Sequence, residues 1–175
     1  MIGEGKIQII YAGKAHPKDE GGKKLIQKIF EVKEKLKNKV KIVYLPNYDM
    51  AMAMKLVAGV DIWLNTPLKP YEASGTSGMK AAHNGIPNLS VLDGWWIEGW
   101  IEGYTGWAIG TLEETSDPKK DAEDLYYKLS SEILPLFYEN RHIWTKIMKN
   151  AITMNAYYFN THRMVRFYVT EAYIR

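Results

Sequence analysis

Four short apolar runs, each followed by a loop or a helix-period segment, constrain this chain more than any other feature. They are Lys6-Ile7-Gln8-Ile9-Ile10-Tyr11-Ala12, Val40-Lys41-Ile42-Val43-Tyr44-Leu45, Val60-Asp61-Ile62-Trp63-Leu64 and Pro87-Asn88-Leu89-Ser90-Val91-Leu92. Their length and their β-branched and aromatic content predict strands. Between the first two, the segment from Gly21 to Asn38 carries Leu25, Ile26, Ile29, Phe30, Val32 and Leu36 at helical spacing, with lysines and glutamates on the other face. A second, shorter helix is predicted from Met50 to Ala58. Strands alternating with helices imply right-handed βαβ units. The predicted fold class is therefore α/β: a Rossmann-like parallel sheet with helices on both faces. In such sheets ligands sit beyond the carboxyl ends of the strands. The loops bearing Lys14, Tyr48, Glu72 to Lys80, and Asp93 are expected to open on that edge.

The second half changes character. Asp93-Gly94-Trp95-Trp96-Ile97-Glu98-Gly99-Trp100-Ile101-Glu102-Gly103 is rich in Gly and Trp. Its tryptophans have rings able to stack on sugar faces, but packing down an irregular loop is the preferred reading. Trp107-Ala108-Ile109-Gly110 predicts a last short strand. After Asp117, read as an N-cap, and Pro118 as first helical residue, three helices are predicted: Ala122 to Phe137, Arg141 to Asn155, and Phe159 to Tyr173, the last opened by Asn160 or Thr161. The chain reads as a single domain, 1–175, with an α/β sheet portion over 1–115 and C-terminal helices over 116–175.

Composition removes several classes of function. The chain has 175 residues and a formal net charge of +3. No Lys/Arg block is dense enough to argue for nucleic acid. With no cysteine, disulfides, thiolate metal sites and a cysteine nucleophile are excluded. His16, His142 and His162 match no metal-ligand spacing, so no metal is expected. His83 is read as a buried or half-buried helix histidine. No run resembles a signal peptide or is long enough to span a bilayer, and a cytoplasmic location without membrane partners is expected.

The chemistry concentrates in Tyr71-Glu72-Ala73-Ser74-Gly75-Thr76-Ser77-Gly78-Met79-Lys80-Ala81-Ala82-His83-Asn84-Gly85. Small residues after the third strand let backbone approach a ligand closely. The helix that follows offers free N–H groups to an anion, with Thr76 and Ser77 as natural caps. Lys80, read as lying in the first turn, would sit at the wrong end of the macrodipole, which favours a neutral, nucleophilic amine. The plain alternative is a surface lysine facing water. The sharper reading is a Schiff-base lysine beside a loop that holds a cofactor phosphate.

The run Glu72-Ala73-Ser74-Gly75-Thr76-Ser77-Gly78-Met79-Lys80, followed by Asn84-Gly85 and Asp93-Gly94, strongly resembles the pyridoxal-phosphate region of the α-glucan (glycogen, starch, maltodextrin) phosphorylases. Asp93-Gly94-Trp95-Trp96 is similar to the short bacterial and archaeal branch. The likeness extends upstream through Gly13-Lys14-Ala15 and Leu45-Pro46-Asn47-Tyr48. It implies the C-terminal half of a two-domain GT-B glycosyltransferase fold. It also implies that Lys80 holds pyridoxal 5'-phosphate, with Thr76, Ser77, Gly78 and Tyr48 as further cofactor-binding residues. Glu72, Ser74 and Gly75 would bind sugar hydroxyls. The implied reaction is phosphorolysis of a terminal α-1,4-linked glucose to α-glucose 1-phosphate, with α-glucan and phosphate as substrates.

The family's basic phosphate-holding segment and its N-terminal domain have no counterpart in these 175 residues. The resemblance therefore implies a chain with little or no activity alone, acting with the missing N-terminal half or a companion chain, and prone to self-association through uncovered apolar surface. Two other readings stay open. One is the donor half of a retaining nucleotide-sugar glycosyltransferase. It is disfavoured because Lys80 stands where those enzymes place an acidic, ribose-binding residue. The other is a non-catalytic module that binds glucan or a partner chain.

Overall fold

The computed structural model describes residues 7–113, 115 and 117–174. The chain folds as two compact units, Met1–Lys55 and Leu56–Arg175.

In the first unit, β1 (Gln8–Ala12) pairs in parallel with β2 (Lys41–Leu45), with Ile10 opposite Val43. The predicted strand opens at Gln8; Lys6 lies outside the described residues. The crossover is α1 (Glu20–Leu36). Asp19 caps it, Oδ1 accepting the Gly22 N–H at 2.8 Å. The helix packs on β2, where Phe30 meets Tyr44 with ring centroids 5.3 Å apart. The Tyr44 hydroxyl donates to the Gly13 carbonyl at 2.9 Å, which ties down the loop after β1. α2 (Met50–Gly59) begins in this unit, with Asp49 Oδ1 accepting the Met52 N–H at 2.8 Å.

In the second unit, β3 (Trp63–Asn65), α3 (Thr76–His83), β4 (Asn88–Val91), α4 (Trp96–Gly99) and β5 (Gly106–Ile109) follow in order. The strands form a parallel sheet in the order β3-β4-β5, with Leu64 opposite Leu89 and Ser90 opposite Ala108. The predicted third strand starts later than Val60. The Val60 N–H still donates to the Leu56 carbonyl at 3.3 Å, so the end of α2 holds that residue. The strands are thus distributed over a two-stranded and a three-stranded parallel sheet.

β4 and β5 are buried along their whole length, as strands covered on both faces must be. Leu89 and Val91 of β4 and Trp107 and Ile109 of β5 alternate along their strands. They point into one core with Ile133, Trp144 and Ile147. Ala108 points the other way, into a second core with Ala82, Leu92, Trp95, Trp96 and Ala151. Helices therefore cover both faces of this sheet, as the α/β pattern predicts.

The helical tail begins with α5 (Pro118–Lys128), which runs through one π-helical turn (Leu129–Ile133) into α6 (Leu134–Glu139). Asp117 is its N-cap, accepting the Lys119 N–H at 3.1 Å, with Pro118 at the first position. α7 (Arg141–Asn150) is capped by Asn140 and continues as a π-helical stretch, Ala151–Ala156. It supplies Trp144 and Ile147 to the first core, and its extension supplies Ala151 to the second. α8 (Thr161–Tyr168) is capped by Asn160, whose Oδ1 accepts the Arg163 N–H at 2.9 Å. The whole is an α/β architecture of short parallel sheets with a C-terminal run of helices, the plan of a Rossmann-like half of a GT-B fold.

Candidate functional site

The central segment leaves β3, forms an irregular loop and enters α3 at Thr76. The helix starts earlier than its alanines suggest. Its N-cap is Gly75, in the left-handed conformation (φ 88°, ψ 43°), and no side chain caps it. Thr76 and Ser77 are therefore the first helical residues and not its caps. Helix geometry leaves their N–H groups without intrahelical acceptors. Only glycine enters this conformation without strain. A Cβ at Gly75 would stand 2.9 Å from Trp95 Cδ1 and 3.2 Å from Glu72 Oε1.

Lys80 is then the fifth helical residue and lies in the last turn, not the first. A cation there is at the favourable end of the helix dipole, so the macrodipole expectation is overturned. The cause is the helix start at Thr76. Residues four apart share a helical face, so Thr76 and Lys80 project from one side, with Ser77 beside them. All three are exposed, while Gly78, Ala81 and Ala82 are buried on the opposite face. The Lys80 amine makes no hydrogen bond or ion pair with any described residue. His83 is exposed rather than buried. It lies where α3 leaves the core, and its Nδ1 sits 2.8 Å from the Met79 carbonyl.

The buried face explains the rigidity of the exposed one. Asn88, the first residue of β4, is only 1% exposed. Its Nδ2 donates to the Gly78 carbonyl at 3.1 Å. Its Oδ1 would stand 2.5 Å from a Cβ at Gly78. Gly78 is thus the contact that lets α3 sit directly on the sheet.

Asp93 organises the loop ahead of α3. It follows β4 and is 9% exposed. Its Oδ2 accepts the Glu72 N–H and its Oδ1 the Gly94 N–H, each at 2.9 Å. The Trp95 N–H adds a bond to the Ser74 carbonyl at 2.8 Å. Glu72, Ser74, Gly75, Thr76, Ser77 and Lys80 thus follow one another along the loop and the exposed face of α3, while Gly78 lies on the buried face against the sheet. Asp93 stands in the sequence motif, yet its supporting role is visible only in the fold. Nothing in the sequence marks Asn88. Tyr48 and Lys14 belong to the other unit: Tyr48 is half-buried between β2 and α2, and Lys14 is exposed after β1.

The Trp-rich segment packs inward. Trp96 is fully buried, its Nε1 donating to the Trp107 carbonyl at 3.3 Å. Trp95 lies edge-on to Phe159 at 5.1 Å. Among the described residues no group of His, Asp and Glu is arranged to hold a metal ion.

The family model for carbohydrate phosphorylases matches residues 5–102, which span every candidate residue named above. The chain belongs to the carbohydrate phosphorylase family. It is 49% identical to the maltodextrin phosphorylase of Thermococcus litoralis over 97% of its own length and 21% of that relative. It is 46% identical to the glycogen phosphorylase of Aquifex aeolicus over 97% of its length and 25% of the relative. The glycogen phosphorylase of Mycobacterium tuberculosis is 43% identical over 95% of the chain and 20% of the relative. The chain thus spans a fifth to a quarter of the length of these relatives.

Proposed function

We propose that this chain is the cofactor-bearing segment of an α-glucan phosphorylase. Such an enzyme transfers a terminal α-1,4-linked glucose to inorganic phosphate as α-glucose 1-phosphate. One observation carries the reading. Two unpartnered amides and two hydroxyls, from Thr76 and Ser77, share an exposed face with the Lys80 amine one helical turn away.

That donor set fits pyridoxal 5'-phosphate: amides and hydroxyls for the phosphate, an amine for the aldehyde. Gly75 lets the chain enter α3 without a Cβ that would press on Trp95 and Glu72. When bound, the cofactor supplies an ionised phosphate group able to exchange a proton with a substrate phosphate. The roles of this chain's residues follow. Lys80 anchors the cofactor through its amine. Thr76 and Ser77 orient the phosphate, and Gly78 seats their helix on the sheet. Glu72, with the backbone of Ser74 and Gly75, binds sugar hydroxyls. In the overall reaction the glycosidic C–O bond breaks, a phosphate oxygen bonds to the anomeric carbon, and the departing oxygen takes the proton. A phosphate co-substrate also needs cations to hold it, and in this proposal the remainder of a phosphorylase supplies them.

The location proposed is the cytoplasm; among the described residues no helix is long and apolar enough to cross a membrane. Exposed Leu25, Phe167 and Tyr168 supply uncovered apolar surface for self-association of the isolated chain, read by size-exclusion chromatography.

The test is covalent trapping. The 175-residue chain is incubated with pyridoxal phosphate, reduced with borohydride and mapped by peptide mass spectrometry. Condensation of amine and aldehyde releases water, and hydride addition to the resulting C=N leaves a stable secondary amine. Label is expected at Lys80 and lost in Lys80→Arg. Label scattered over many lysines, with no preference for Lys80, overturns the reading.

A further inference from the structure

We propose that Asp93 is a positioning residue that locks the sugar-facing loop to the cofactor-facing helix, so that Glu72 and the first turn of α3 form one preorganised site. The cofactor half of this inference rests on the phosphorylase reading above. The loop half rests on geometry alone.

The loop between β3 and α3 contains no regular structure of its own from Leu68 to Gly75. Its conformation has to be imposed from outside, and β4 imposes it. Asp93 emerges from β4 with its N–H donating to the Val91 carbonyl at 2.9 Å, so its backbone is fixed. Both carboxylate oxygens are then used on backbone amides, Glu72 on one side and Gly94 on the other, each at 2.9 Å. No lysine or arginine among the described residues pairs with it. Its charge is directed at two N–H groups, and such charge-assisted bonds are stronger than neutral ones.

The chain paths leave no slack. Gly94 has φ 55°, and a Cβ there would stand 2.7 Å from the Ser74 carbonyl oxygen and 2.9 Å from that of Glu72. The Trp95 N–H closes the other end of the contact by donating to Ser74 O at 2.8 Å. Glu72 is therefore gripped at its own N–H, and Gly75, the N-cap of α3, lies three residues on. Where Asp93 goes, both the Glu72 carboxylate and the Thr76 and Ser77 amides go. A side chain that touches neither cofactor nor sugar in this arrangement sets the relative position of the groups that would.

Asp93→Asn is the discriminating change, because it keeps size and removes one acceptor. The Nδ2 group then faces either the Glu72 or the Gly94 N–H, donor against donor. Gly94→Ala disturbs the same contact from the other side, and thermal melts establish that both variants fold. Two readouts are needed. The first is amide hydrogen exchange without ligand: exchange of the Glu72, Gly94 and Trp95 N–H groups, the ones bonded across this contact, should rise about tenfold, the scale of one lost bond, while β4 and β5 stay protected. The second is the ratio of dissociation constants for pyridoxal and pyridoxal phosphate, which should fall about tenfold as the phosphate cradle loses its alignment. Unchanged exchange of the Glu72, Gly94 and Trp95 amides in folded Asp93→Asn overturns the inference. Faster exchange in a chain whose wild type shows no preference for pyridoxal phosphate leaves the positioning role intact and defeats the cofactor reading instead. Faster exchange with an unchanged ratio overturns the link between Asp93 and the cradle.

Discussion

Replacing Gly78 by alanine sets two large effects against each other. Gly78 is the third residue of α3, and in an unconstrained helix alanine would be better by about 1 kcal/mol. Here the new Cβ would stand 2.5 Å from Asn88 Oδ1 and 3.0 Å from Trp95 Nε1. Both neighbours are buried, so neither swings into solvent. Overpacking of this kind costs about 1–3 kcal/mol. Moving Asn88 breaks its bond to the Gly78 carbonyl, 3.1 Å long in the native fold. A buried amide left unpaired costs about 1–3 kcal/mol more. The net expectation is destabilisation by about 1–5 kcal/mol, each 1 kcal/mol lowering Tm by ~2–4 °C. Six tryptophans occur in the sequence, all between Trp63 and Trp144, so fluorescence-detected urea unfolding follows the second unit selectively. The control is a double-mutant cycle with Asn88→Ala, which removes the obstructing oxygen. In that background Gly78→Ala should cost no more than ~1 kcal/mol, because only the helix preference and the Trp95 contact remain. An equal cost in both backgrounds, or a stabilised single variant, would refute the seating of α3 on Asn88.

Lys128 is only 14% exposed and donates to the Ala108 carbonyl at 2.8 Å, with Glu102 Oε1 at 2.9 Å and Asp124 Oδ2 at 3.4 Å. Lys128→Ala leaves a β5 carbonyl and two carboxylates without their cation and should cost about 1–3 kcal/mol by urea unfolding. Trp144 stacks on Trp107 at 5.7 Å and meets Phe137 edge-on at 5.0 Å. Trp144→Ala should cost about 3–5 kcal/mol by the same assay, far more than any loss of surface charge.

The parallel sheets and the capped helices were legible because their signals are local. Asp117-Pro118 and Asn160 each open a helix as capping chemistry predicts. The inward packing of Trp95 and Trp96 was also legible, since their rings need a core and that loop had to pass over one. The start of α3 was not. Sequence preference favours a Ser or Thr cap, but Gly75 takes the position because Trp95 closes the space beside it. Nor did periodicity distinguish Val60 from the strand after it, because the last turn of α2 captures its N–H. The supporting pair Asn88 and Asp93 depends on contacts across 10 and 21 residues, which no single window of sequence contains.

The true position of Lys80 changes where its selectivity must come from. In the last turn of α3 Lys80 stands at the end of the helix where a cation is not opposed by the dipole. The helix therefore gives this amine no advantage as a nucleophile over the other exposed lysines of the chain. What sets it apart is company: the first-turn donors lie roughly 6 Å along the axis, about four residues at ~1.5 Å each. A ligand whose phosphate is held there presents its aldehyde to Lys80 at high effective concentration, and proximity alone can account for preferential reaction. The two ligands in the trapping experiment separate these causes. Pyridoxal phosphate should label Lys80 ahead of every other lysine, and inorganic phosphate should suppress that preference. Pyridoxal, lacking the anion, should show no preference. If pyridoxal singles out Lys80 as sharply as its phosphate ester does, the amine is intrinsically activated and Thr76 and Ser77 are not its phosphate cradle.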